Sequence, residues 1–236
     1  MRRARRGPGV FALPLLLLAA AAALAYVPPA DRVARTVADA NRARGRAQPL
    51  AIRVSLVGEG DAVLATGTLL SDPRGAARLE VKHASGFVER QLRRGKGLEA
   101  SRDGVPLADP VPLLPPLFLL QADQGATLQT RIAELGGGAD AIALGHDGDH
   151  DCYVLGGKGA AASYWVDQET LAPVRIELPG GVRYQLGPPR TQGGIELPAW
   201  IALETPGRPA LRMKLEGARA EAPAPDAFDP AWLTRR

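Results

Sequence analysis

Carboxylate and imidazole groups are concentrated in one hexapeptide, His146-Asp147-Gly148-Asp149-His150-Asp151, where they could in principle ligate a metal ion. Calcium loops of the helix-loop-helix type need a glutamate at the twelfth position; counted from Asp147 that position is Lys158, and no zinc-type spacing occurs. Asp and Gly clustered between two strands are what a tight turn requires, so the turn is the favoured reading and no metal or cofactor is expected. Cys152 is either a reactive thiol or a small buried hydrophobe beside Tyr153, Val154 and Leu155, and the second is favoured. As the chain's one cysteine it can form no internal disulfide. The basic cluster Arg90, Arg93, Arg94 and Lys96 could meet a phosphate or lipid headgroup, but a charged strand end is the commoner meaning. The third histidine, His83, also lies at a strand end, no serine sits in a nucleophile elbow, and no glycine-rich loop opens a helix. No catalytic residues are assigned, and a non-enzymatic protein is expected.

The elements that would carry these residues are mostly strands. A weakly amphipathic helix is predicted from Asp31, as its cap, to about Ala47. From Leu50 the period changes to two. Leu50, Ile52, Val54 and Leu56 oppose Ala51, Arg53 and Ser55, and Val63 to Leu70 returns after a Gly-rich turn. Ala77, Leu79 and Val81 alternate with Arg78, Glu80 and Lys82, and Phe87 to Leu92 runs back. Short turns between successive strands imply an antiparallel meander. Ser163–Val166, a polar turn Asp167–Pro173 and the alternating Val174, Ile176 and Leu178 read as a hairpin with one apolar and one wet face. Strands follow at Val182–Leu186, Leu197–Leu203 and Leu211–Leu215, with a Pro/Gly-rich connection from Gly187 to Gly194. The end of the chain, residues 220–236, is expected to be extended, with Phe228 and Trp232 as anchors.

Two segments break this alternation. Ala126 to Leu135 is a strand or a short helix. Pro106 to Gln121 is apolar on every side and carries Pro112, Pro115 and Pro116, which exclude a central strand and restrict any helix to a start after Pro116. Such a segment is too apolar to lie in water. It either plugs one end of a sheet or covers a hydrophobic cavity as a movable flap.

Residues 1–25 read as a secretory signal peptide: Arg2, Arg3, Arg5 and Arg6, an apolar run from Val10 to Leu24, and the small-x-small pattern Ala23-Leu24-Ala25. The run is short for a membrane span, and Sec export fits better than the twin-arginine route. The formal net charge is +4, and the four arginines ahead of the cleavage point account for all of it. The processed chain, residues 26–236, is therefore near neutral, and no nucleic-acid partner is expected.

The wording of the C-terminal half carries a resemblance. Tyr164-Trp165-Val166-Asp167-Gln168-Glu169-Thr170-Leu171-Ala172-Pro173-Val174-Arg175-Ile176-Glu177, preceded by Cys152-Tyr153-Val154-Leu155 and followed by Glu196-Leu197-Pro198-Ala199-Trp200-Ile201, Leu215-Glu216-Gly217-Ala218 and Phe228-Asp229-Pro230, resembles the LolA-like outer-membrane lipoprotein-sorting family. The resemblance implies a mainly β (α+β) fold: an N-terminal helix, then a strongly curved antiparallel sheet forming an unclosed half-barrel whose concave side is covered by helices and holds acyl chains. It also implies a periplasmic, monomeric protein with transient membrane contact that binds lipids or lipoprotein acyl chains. Leu113, Leu114, Leu117, Phe118 and Leu120 are then the expected cover or lining of the cavity. The family's carrier locks its cover with an arginine, a role the sequence assigns to no particular arginine here. The alternative within the same fold is a regulatory or scaffold module that binds an envelope protein partner.

Overall fold

A computed structural model of the chain describes residues 27–159 and 161–235; the segment read as a signal peptide, 1–25, lies outside them. Helix α1 (Ala30–Ala43) buries Ala30, Val33, Ala34, Val37, Ala38 and Asn41, a three-and-four spacing that puts one stripe on the sheet. Asp31 does not cap it. Pro29 holds that place, and Asp31 sits in the first turn, paired with Arg35 at 3.0 Å. The helix also stops four residues before Ala47, because Gly45 takes a positive φ of 69°. The amides of Gly45 and Arg46 then bond back to the carbonyls of Arg42 and Asn41, a Schellman closure that turns the chain at once.

Thirteen strands form one open antiparallel sheet, in the order β6-β5-β4-β3-β2-β1-β15-β14-β11-β10-β9-β8-β7, whose edges β6 and β7 do not pair with each other. Its first half is the meander β1 (Leu50–Val57), β2 (Val63–Asp72), β3 (Ala76–His83), β4 (Val88–Arg94), β5 (Gly97–Arg102) and β6 (Val105–Pro106). The second half comprises β7 (Ile142–Asp147), β8 (His150–Leu155), β9 (Ser163–Asp167), β10 (Pro173–Leu178), β11 (Val182–Leu186), β14 (Trp200–Glu204) and β15 (Leu211–Ala220). Register shifts at Arg53/Val54, Leu56/Val57 and Pro173/Arg175 are the kind of irregularity that bends strands and lets a wide sheet curl. The expected half-barrel, mainly β with short helices on one side, is the fold observed.

Three local readings change. The connection Gly187–Gly194 is not irregular throughout, since Pro189–Gln192 (β12) pairs with Ile195–Pro198 (β13) in a separate two-stranded sheet. Leu197–Leu203 is consequently two strands, β13 and β14, broken at Ala199. All five residues of β9 are buried, so the hairpin has no wet face there: Tyr164 points inward, while Trp165 packs outward on Cys152, Val154 and Val174 beneath the Arg175 guanidinium, 3.7 Å from its ring.

Ala126–Leu135 resolves as a helix, α3 (Gly125–Glu134), which buries Leu128 and Ile132. It crosses α1 so closely that a Cβ on Gly125 would lie 2.8 Å from the Arg35 amide nitrogen, which only glycine permits. On the opposite, convex side the C-terminal tail is anchored by Phe228, against Ala51 and Leu70, and by Trp232 and Leu233, against Leu92. It ends in a 3-10 turn, Pro230–Thr234, rather than fully extended. No described helix is long and apolar enough to cross a membrane.

Candidate functional site

The concave face of the sheet is apolar across most of its width: Ile52, Leu69, Leu79, Tyr164, Ile176 and Leu215 belong to one buried cluster. Into it projects Val111–Gln121, ending in the single-turn helix α2 (Phe118–Gln121), which starts after Pro116 as the prolines require. Leu113, Leu114, Leu117, Phe118, Leu119 and Leu120 are all buried in the same cluster. The segment itself thus fills the concavity.

Proline-broken backbone needs partners for its carbonyl and amide groups, and neither helix nor sheet supplies them here. Side chains do. On β4, Glu89, Gln91 and Arg93 stand opposite Val81, Leu79 and Ala77 of β3, so a row of three polar groups faces inward beside a row of apolar ones. Gln91 donates to the Val111 carbonyl (2.7 Å) and accepts from the Leu114 amide (3.1 Å). Arg93, only 2% exposed, donates through Nε to the Leu114 carbonyl at 3.0 Å. The Tyr184 hydroxyl, from β11 across the concavity, donates to the Pro112 carbonyl at 2.7 Å and lies 3.4 Å from the Arg93 guanidinium. Burial pushes the Tyr184 phenol up, so it stays a donor throughout the physiological range.

The far end of the segment is held as well. Gln121 donates to the Gln48 carbonyl (2.8 Å) and accepts from the Ser71 hydroxyl (2.5 Å), and buried Asn41 on α1 donates to the Ala122 carbonyl (3.0 Å). The apolar segment is therefore tied by hydrogen bonds at Pro112–Leu114 and at Leu119–Ala122, and its side chains pack into the core throughout.

The basic cluster is divided by the pleat. Arg90 and Arg94 face outward and pair with Glu80 (2.6 Å) and Glu99 (2.9 Å), Lys96 lies in the following turn, and Arg93 turns in. The reading of Arg93 as part of a charged strand end is thus overturned: Leu92, which hydrophobicity would send to the core, goes to the convex face under Trp232, leaving the inward positions to Glu89, Gln91 and Arg93.

The hexapeptide forms the turn between β7 and β8, with Gly148 and Asp149 at its tip. Its ionisable groups diverge. His146 meets Asp151 at 3.1 Å, His150 meets Asp167 at 2.8 Å, and Asp147 is engaged by Arg175 and Gln185. Among the described residues no three His, Cys, Asp or Glu side chains converge as a metal site would need. His83 stacks on Phe87 at 3.9 Å, near the Glu89 carboxylate. Cys152 is buried, and burial, with Asp147 and Asp167 nearby, pushes its thiol up to about 11. Thiol-directed reagent at pH 8 is expected to leave the folded protein unlabelled and to modify Cys152 fully once denaturant is added; rapid labelling of the native state would contradict this placement.

Asp167 organises the hairpin turn. Its carboxylate accepts from the Glu169 and Thr170 amides and the Thr170 hydroxyl, at 3.1, 2.7 and 2.7 Å. Burial works against its charge, but the Thr170 and His150 bonds outweigh burial and hold Asp167 below the usual carboxylate range. Arg44, just past α1, donates to the Leu171 carbonyl at 2.8 Å and ties this turn to the helix. A depressed pKa gives stability that is present above the unfolded value, roughly 3.9, and lost as pH falls through the folded one. Asp167→Ala is therefore expected to cost about 1–3 kcal/mol at pH 7, with the gap to the native chain closing under acid, as read from denaturant midpoints at the two pH values.

No protein-family model and no curated protein matches the chain. Solved structures do resemble its fold. A LolA superfamily protein from Nitrosomonas europaea aligns over 88% of this chain and 100% of its own, with a TM-score of 0.54 at 13% identity. A DUF1329 family protein from Desulfovibrio piger aligns over 87% and 100%, with a TM-score of 0.50 at 13% identity. The fold is LolA-like.

Proposed function

We propose that this chain is a periplasmic, non-enzymatic binder or carrier of acyl lipids or lipoproteins, acting as a monomer, with residues 26–236 as one domain delivered by the N-terminal signal segment. The observation that carries the proposal is the segment Val111–Gln121, which is apolar, fills the concave face of an open sheet, and has its backbone tied to the sheet and to α1 by side-chain hydrogen bonds. When it swings out, Leu113, Leu114, Leu117, Phe118 and Leu120 and the facing strands become the lining of a groove. Acyl chains entering that groove replace the cover's packing at roughly 25 cal/mol per Å² of apolar surface buried, so opening is offset by occupancy. Nothing in this exchange makes or breaks a covalent bond. The LolA-like fold supports the reading at the level of architecture.

Purification from the cell envelope followed by lipid mass spectrometry tests it. The expected result is a co-purifying acyl lipid, or uptake of a fluorescent fatty acid by the delipidated protein. A chain that retains no lipid and takes up no probe contradicts the proposal and leaves the partner-binding scaffold as the alternative.

A further inference from the structure

One arginine inside the molecule is short of hydrogen-bond partners among the described residues. Arg46, placed by the Schellman closure of α1, is 1% exposed, and among the described residues its Nε and one terminal nitrogen have no hydrogen-bond partner. The Tyr164 hydroxyl on the inner face of β9 is likewise buried and unpartnered. The two groups feel each other's field. The nearby acid, Glu196, pairs directly with Arg44 at 2.9 Å and reaches Arg46 only through its field. A guanidinium cannot shed its proton in a protein, and a buried charge with unmade hydrogen bonds is costly to keep. Folded chains do not keep such a group in the core for stability, and the cost is recovered when an oxygen acceptor arrives.

We infer that Arg46 and Tyr164 receive the polar end of the bound acyl lipid, the carboxylate or ester oxygens where the chain meets its headgroup. This rests on the lipid-binding reading above and adds a position and a chemistry to it. Two guanidinium N–H groups and one phenol O–H are the donors that an acyl carboxyl or ester group lacks once it leaves water. The phenol remains protonated for this purpose, since burial pushes Tyr164 up to about 12. The place is also right for entry: the Gln48 carbonyl, two residues beyond Arg46, is where Gln121 at the end of the cover is attached. Release of the cover at Gln121 thus loosens the loop that carries Arg46.

Fluorescence titration of the purified protein with cis-parinaric acid and with its methyl ester tests the assignment on the native chain, Arg46→Met and Tyr164→Phe. Arg46→Met is expected to weaken binding of the acid by roughly tenfold, and Tyr164→Phe by roughly threefold. Loss confined to the acid identifies a carboxylate ligand; equal loss on the ester identifies an ester carbonyl. The melting temperature of Arg46→Met should stay level or rise, because a buried unpaired charge has been removed. Native binding of the probes with Arg46→Met binding both unchanged overturns this assignment and leaves the lipid reading standing. A native chain that binds neither probe ends both. A melting temperature several degrees lower in Arg46→Met gives Arg46 a structural role and also overturns it.

Discussion

Arg93→Met is expected to speed hydrogen exchange of the amides from Leu117 to Gln121 by roughly ten- to hundredfold while leaving β1–β3 unchanged. The side chain is nearly matched in apolar bulk, so packing survives, but the Leu114 carbonyl loses its buried donor and Tyr184 loses a neighbour. A hydrogen bond from a charged group is worth about 1.5–3 kcal/mol, and an orphaned buried carbonyl costs about as much. Against this, removal of a buried guanidinium relieves desolvation, which acts on the whole fold. The two effects have different addresses: the first governs local opening of the cover, the second global stability. Local exchange should therefore rise sharply while the denaturant midpoint moves little. Uniform acceleration across the sheet would show that Arg93 supports the core and does not fasten the cover.

Phe118→Ala should cost about 3–5 kcal/mol, because Phe118 is fully buried at the start of α2 and its truncation leaves a cavity in the core. The void is apolar and lies where an acyl chain is proposed to run. A long-chain fatty acid at concentrations well above its dissociation constant should restore part of the loss, since a ligand bound only by the folded state stabilises it by mass action. Urea unfolding of Phe118→Ala with and without palmitate measures both quantities. A large loss that palmitate leaves untouched would mark Phe118 as ordinary core with no connection to a ligand.

The strands were legible because period-two alternation is read directly from side chains. Ala77 to Val81 buries one face, and although Leu50 to Leu56 is covered on both, its larger apolar residues all fall on the concave one, so the pleat does the rest. The break in the strand pattern at Pro106 to Gln121, and the helix start after Pro116, were legible from the prolines. The fastening was not: inside Val88 to Arg94 the apolar residues are Val88, at its start, and Leu92, and hydrophobicity alone points Leu92 at the core. Only the tail, with Trp232 and Leu233 arriving from more than a hundred residues away in sequence, makes the convex side the better burial for Leu92. Arg93 is then forced inward, where the carbonyls of the proline-broken segment await donors. Arg46 was invisible for a related reason. Its direction is set by the glycine that ends α1, and its missing partner is a property of the assembled interior, not of any local pattern.

Photocrosslinking with a diazirine-bearing palmitate, followed by peptide mapping, tests the central claim most directly. The account predicts adducts on the inner face of the sheet, at Ile52, Leu69 and Leu79, and on Leu114 to Leu120 of the cover. Adducts confined to the convex side, at Leu70 and Phe228, or none above those of a denatured control, would contradict it.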